Sequence, residues 1–156
     1  MALEIERKFL VKGTSWQSLA QPQIYRQGYV YSDDKQTVRV RMIGQRAFLT
    51  LKREKSNVTR LEFEYPIPPE DAMQMLSDMC TYGKIEKYRY KIEFGDLIWE
   101  VDEFFGDNEG LVVAEVELKD ENQKIVKPQW IGKEISQDRR YYNAYLAKNP
   151  YKFWED

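Results

Sequence analysis

The chain contains no histidine and only one cysteine. Without histidine there is no Ser-His-Asp or Cys-His nucleophile system, and no His-ligated zinc or haem. A lone cysteine, Cys80, allows no intramolecular disulfide, and its place in an apolar helical pattern makes it a small core residue. There is no signal peptide and no apolar run long enough to cross a bilayer, so the expectation is a soluble, cytoplasmic protein with no membrane partner. An excess of one charge sign is also missing. The 24 Lys and Arg against 26 Asp and Glu leave a net charge of −2, which gives no reason to expect nucleic acid. Any catalysis must therefore run on carboxylates, Lys, Arg, Tyr and metal.

What remains is ample for one domain, residues 1–156. Aromatic residues make up 14% of the chain, with 11 tyrosines, and supply apolar mass for a core. No repeat, low-complexity stretch or linker divides it. Strand patterns fall at 2–12, 23–32, 36–42, 46–53, 59–67, 84–94, 96–104 and 111–119. Asp33-Asp34, Ile43-Gly44-Gln45 and Gly95-Asp96 read as tight turns. A short helix capped by Ser15 runs to Leu19 before Pro22. A second begins at Pro68-Pro69-Glu70-Asp71, with Ala72, Met73, Leu76 and Met79 on its apolar face, and stops near Gly83. A last helix covers about 137–148. Short links between strands predict a mainly β, α+β fold with an antiparallel sheet.

Within those strands, charge alternates with apolar residues. Glu4-x-Glu6-x-Lys8 places three charges on one face of the first strand, because successive side chains point to opposite sides. Arg39-x-Arg41, Lys52, Glu62-x-Glu64, Lys87-x-Arg89-x-Lys91, Glu100-x-Asp102 and Glu115-x-Glu117 repeat the arrangement. Two readings stand at this point. One is a sheet with one face in core and the other in water. The other notes that like charges at i and i+2 lie roughly 7 Å apart and repel unless an ion intervenes. If the sheet curls with this face inward, the result is a wet, charged channel suited to a polyanion bridged to carboxylates by a divalent cation.

The ordered set of these motifs, with Arg26-Gln27-Gly28-Tyr29 and Asp138-Arg139-Arg140-Tyr141-Tyr142-Asn143, resembles the CYTH superfamily of triphosphate tunnel metalloenzymes, in its small bacterial branch. The resemblance implies a closed eight-stranded antiparallel β-barrel whose tunnel binds triphosphate with Mg²⁺ or Mn²⁺, two ions in all. It implies metal ligands among Glu4, Glu6, Asp102, Glu115 and Glu117, with Glu62 and Glu64 either reaching a second metal or orienting basic side chains. It implies phosphate contacts from Lys8, Arg39, Arg41, Lys52, Lys87, Arg89 and Arg140. Lys8, Lys52, Glu115 and Tyr29 would serve the chemistry. The implied reaction is hydrolysis of inorganic triphosphate to pyrophosphate and phosphate. A nucleotide- or thiamine-triphosphate-directed enzyme, including an adenylate cyclase, and a non-catalytic polyphosphate-binding module are the competing readings. The aromatic tail Tyr151-Lys152-Phe153-Trp154 fits either docking onto the barrel or the contact of a homodimer.

Overall fold

The computed structural model describes residues 2–155. Its strands are β1 (Leu3–Val11), β2 (Gln23–Ser32), β3 (Gln36–Ile43), β4 (Arg46–Glu54), β5 (Thr59–Ile67), β6 (Lys84–Phe94), β7 (Leu97–Phe105), β8 (Val112–Leu118) and β9 (Ile131–Glu134). The helices are α1 (Pro69–Asp78) and α2 (Asn143–Lys148), with short 3₁₀ turns between other elements.

All pairings are antiparallel, in the order β5-β4-β3-β2-β6-β7-β8-β1. The ring then closes because the start of β1 pairs with β5, with Leu3 opposite Leu61 and Ile5 opposite Thr59. Closure removes the exposed sheet edges and turns one face of every strand inward. The inward face is the charged one, so the charged residues line the barrel interior and do not form one open face of a sheet in water.

Apolar residues pack mainly outside the wall. Phe9, Trp99, Val101, Ala114 and Val116 form one buried cluster, covered by Trp16 from the 3₁₀ turn Ser15–Ser18 and by Trp130. Val40 and Ala47 form a second, covered by Ala72, Met75 and Leu76 of α1. The approach of this helical segment requires glycine in β2: a Cβ at Gly28 would stand 2.8 Å from Cys80 Cβ. The third cluster lies at one end of the barrel interior. There Leu146 and Ala147 of α2 pack among Tyr29, Ile85, Phe104 and Val113. α2 is thus a plug at that end. Gly83 lets it seat, since a Cβ there would meet the Ala147 carbonyl oxygen at 2.6 Å and φ is +98°.

The eight expected strands are present within a residue or so of their predicted ends. Four details differ. β9 is an additional strand, pairing Ile131 with Val11 and Glu134 with Phe9 along the part of β1 that β5 leaves free. α1 ends at Asp78, and Met75 rather than Met73 faces the wall; Met73 is 60% exposed. The first helix is a single 3₁₀ turn with Thr14 before it and no side-chain cap. The last helix is broken: Asp138 accepts a hydrogen bond from the Arg140 backbone to form a 3₁₀ turn, Tyr142 is extended, and α2 starts only at Asn143.

Candidate active site

The barrel encloses a cavity of about 470 Å³. Its wall carries the carboxylates Glu4, Glu6, Glu62, Glu64, Glu100 and Glu115 and the cations Lys8, Arg39, Arg41, Lys52, Arg60, Lys87, Arg89 and Lys91. Tyr25 and Tyr29 of β2 and Tyr142 and Asn143 of the C-terminal segment also line it, as do Arg46, Glu54 and Arg139. Strand alternation explains this gathering. Each charged residue shares a parity with its neighbours along the strand, and closure points that parity at the axis.

The charges are arranged, not scattered. Glu6 of β1 and Glu115 of β8 lie within hydrogen-bonding reach of each other. Burial and the negative charge of Glu115 push the Glu6 carboxyl well above the usual carboxylate range. Burial acts the same way on Glu115, but Lys8, the hydrogen bond from Glu6, Arg89 and Lys87 overcome it and hold Glu115 well below that range. One proton therefore belongs to Glu6 while Glu115 stays ionised. Glu4 and Glu62 likewise share a hydrogen bond, and Lys52 Nζ sits 3.2 Å from both. Burial and Arg39 work against the Lys52 charge, yet Glu4, Glu6 and Glu62 raise its pKa.

Cations fill the other part of the wall. Arg89 makes a two-pronged contact with Asp102, at 2.7 and 2.8 Å, and reaches Glu115 at 3.1 Å. Arg41 and Arg89 both stack over the Tyr25 ring, at 5.0 and 4.8 Å from its centroid. Arg41 has no ion pair among the described residues, and burial beside Arg39 and Arg89 lowers its pKa to about 10. Arg39 contacts Glu64 at 3.3 Å, but its buried Nε has no hydrogen-bond partner among the described residues. Lys8 Nζ donates to the Tyr141 carbonyl at 3.2 Å and lies over the Tyr142 ring.

Most of the residues expected from the sequence therefore meet in one cavity. Three do not line it. Asp102 is buried behind Lys87 and Arg89, ion-paired to both. Glu117 is exposed, with burial of its inner portion and repulsion from Glu4, Glu100 and Glu62 raising its pKa. Arg140 is on the outer surface, paired with Asp138 at 2.7 Å and stacked on Tyr141 and Trp154. Among the described residues no three acids converge on one point as ligands. The paired Glu6–Glu115 and Glu4–Glu62 carboxylates are hard oxygen donors already held together, which is the chemistry a Mg²⁺ or Mn²⁺ ion selects.

Several cavity residues escaped the sequence reading. Arg60 lies 3.7 Å from Glu6 and over the Tyr142 ring. It continues the Glu62-x-Glu64 parity by one more step, and that signal could have found it. Asn143 lines the cavity and Gln27 is buried in the wall; both stand in motifs that carry the family resemblance, but as uncharged residues neither has a role in the sequence reading.

Comparison with known proteins agrees with this geometry. Residues 2–144 match the CYTH domain family. An inorganic triphosphatase of Acetivibrio thermocellus is 49% identical over 156 residues, all of both chains. An inorganic triphosphatase of Nitrosomonas europaea is 36% identical over 148 residues, 92% of this chain and 96% of its own. The crystal structure of the inorganic triphosphatase NE1496 superposes with a TM-score of 0.69 at 33% identity, covering 95% of this chain and 96% of that one.

Proposed function

The chain belongs to the CYTH family, and we propose that it is an inorganic triphosphatase, releasing pyrophosphate and phosphate from triphosphate inside the barrel. The observation that carries this reading is the full-length similarity to an inorganic triphosphatase, on a barrel whose closed interior holds paired carboxylates facing buried cations. The plug α2 leaves Tyr142, Asn143 and Tyr145 at one end of the cavity, which suits a compact polyanion.

Roles follow from position. Arg39, Arg41, Lys52, Lys87 and Arg89 grip phosphate oxygens, and the free buried Nε of Arg39 is a donor waiting for an acceptor. These cations also stabilise the charge that grows on the leaving pyrophosphate as the terminal P–O bond breaks. Lys8, next to Glu115, keeps that carboxylate ionised so that it can accept a hydrogen bond from the attacking water. Its neighbour Glu6, whose raised pKa keeps it protonated, donates the hydrogen bond that fixes Glu115 in place. Tyr29, buried at the α2 end, bounds the substrate's position. Glu64 and Asp102 act by orienting Arg39, Lys87 and Arg89 rather than as metal ligands. Glu4, Glu6, Glu62 and Glu115, with Glu117 beside them, would hold Mg²⁺ or Mn²⁺, two ions in all, which would neutralise phosphate charge and make water more acidic.

Phosphate release from triphosphate by Glu115→Gln and Lys52→Ala tests these assignments. Both should lose nearly all turnover, and near-normal turnover in both sinks the site.

A further inference from the structure

Gln27 is 1% exposed, the most deeply buried amide side chain in the barrel wall. Burying an amide is unfavourable unless both ends find partners. Both do. Its Oε1 accepts from Arg41 Nε at 2.9 Å, directly across the β2–β3 pairing. Its Nε2 donates to Asn143 Oδ1 at 3.4 Å and to Tyr29 Oη at 3.3 Å. Asn143 Oδ1 accepts a second bond, 2.9 Å, from Lys87 Nζ. A chain of neutral amides thus runs from a guanidinium on β3, through β2 and the first residue of α2, to an ammonium on β6.

Resting on the triphosphatase reading, we propose that Gln27 and Asn143 are positioning residues that aim Arg41 and Lys87 at the substrate phosphates, leaving Arg41 its full charge and adding no negative charge to Lys87 beyond that of Asp102. The choice of amide over carboxylate is the physical point. A carboxylate at position 27 would hold Arg41 as firmly, but it would form an ion pair and repel the incoming polyanion. An amide oxygen fixes the same geometry and leaves the positive charge for the ligand. Arg39, Lys52, Arg89 and also Lys87 have carboxylate partners, so of the two cations the bridge holds, Arg41 is the one left without an ion pair among the described residues. Because Asn143 opens α2, the same bridge ties the plug to the phosphate grip.

The test is steady-state hydrolysis of triphosphate by Gln27→Glu, Gln27→Leu and Asn143→Asp, alongside thermal melting of each. Gln27→Glu keeps the shape and the acceptor toward Arg41 and adds one charge. It also gives up the Nε2 donor to Asn143 and Tyr29, so some loss of Tm is expected, but the added charge should raise KM roughly tenfold or more in the folded enzyme. Asn143→Asp should raise KM in the same direction through Lys87. Gln27→Leu should raise KM and lower Tm together. A purely structural role predicts the reverse split: a smaller folded fraction lowers apparent kcat and leaves KM alone. Wild-type KM in both Gln27→Glu and Asn143→Asp overturns the proposal. If Gln27→Glu does not fold, Asn143→Asp decides. If wild type releases no phosphate from triphosphate, the functional reading fails, and the bridge is then judged by calorimetric triphosphate binding to the same variants, with the same expected weakening.

Discussion

Lys87 of β6 and Asp102 of β7 form a 2.8 Å ion pair in which each side chain is only 1% exposed. Asp102 also anchors Arg89. Removing the carboxylate leaves the buried Lys87 with no ion pair and takes the two-pronged contact from Arg89, which keeps only Glu115 and Glu100. Asp102→Ala should therefore destabilise the fold by about 3–5 kcal/mol, a fall in Tm on the order of 10 °C, measured by thermal or urea unfolding. A metal-ligand role alone would leave the metal-free protein's stability near wild type.

The same pair sets a pH dependence. Burial pushes the Lys87 pKa down to about 7, even though Asp102 opposes the shift. A bound polyanion favours the ammonium and raises that pKa. Binding then takes up a proton at pH values above about 7, and affinity is greatest below 7 and falls as pH rises through it. Calorimetry at pH 8 in buffers of different ionisation enthalpy reads the uptake directly. No buffer dependence, or affinity that grows with pH, contradicts this.

Two arginines that look alike in sequence should behave differently. Arg140 is on the outer surface with Asp138, whereas Arg60 lines the tunnel beside Glu6. Arg140→Ala should change kcat/KM by less than about threefold, since exposed pairs contribute little. Arg60→Ala should lower it by roughly tenfold or more, because a charged contact inside the cavity is lost. Kinetics of the two variants under one set of conditions would settle the order.

The plug makes a structural prediction. Gly83→Ala places a methyl 2.6 Å from the Ala147 carbonyl oxygen at a backbone φ of +98°. Both strain and clash push α2 away from the barrel end, so Tm should fall by several degrees, by way of a cost of about 1–3 kcal/mol. Proteolysis should find the α2 segment first. An unchanged melt with unchanged cleavage would show that α2 does not depend on this contact.

These tests also mark what the sequence made legible. The period-two charge pattern disclosed the strands and nearly the whole inward face, because closing a sheet requires one parity to point at the axis. It could not disclose Gln27 or Asn143, whose roles depend on contacts between β2, β3, β6 and α2 rather than on their own charge. β9 was invisible because Ile131-Gly132-Lys133-Glu134 is only four residues long and holds a glycine; its pairing with β1 makes it a strand. Arg140 was misplaced because a continuous helix was expected, and the Asp138 turn and extended Tyr142 rotate it outward. Asp102 shares the inward parity of Glu100 but ends under Lys87 and Arg89, a distinction of depth that alternation does not encode.

The central claim is the substrate. The most direct measurement is phosphate release from triphosphate, pyrophosphate, ATP and thiamine triphosphate, each with and without Mg²⁺ or Mn²⁺. The account predicts metal-dependent turnover of triphosphate, with pyrophosphate and phosphate formed one to one, and a clear preference over the other three. Activity on ATP or thiamine triphosphate equal to or above that on triphosphate, or tight triphosphate binding with no turnover under either metal, would contradict it.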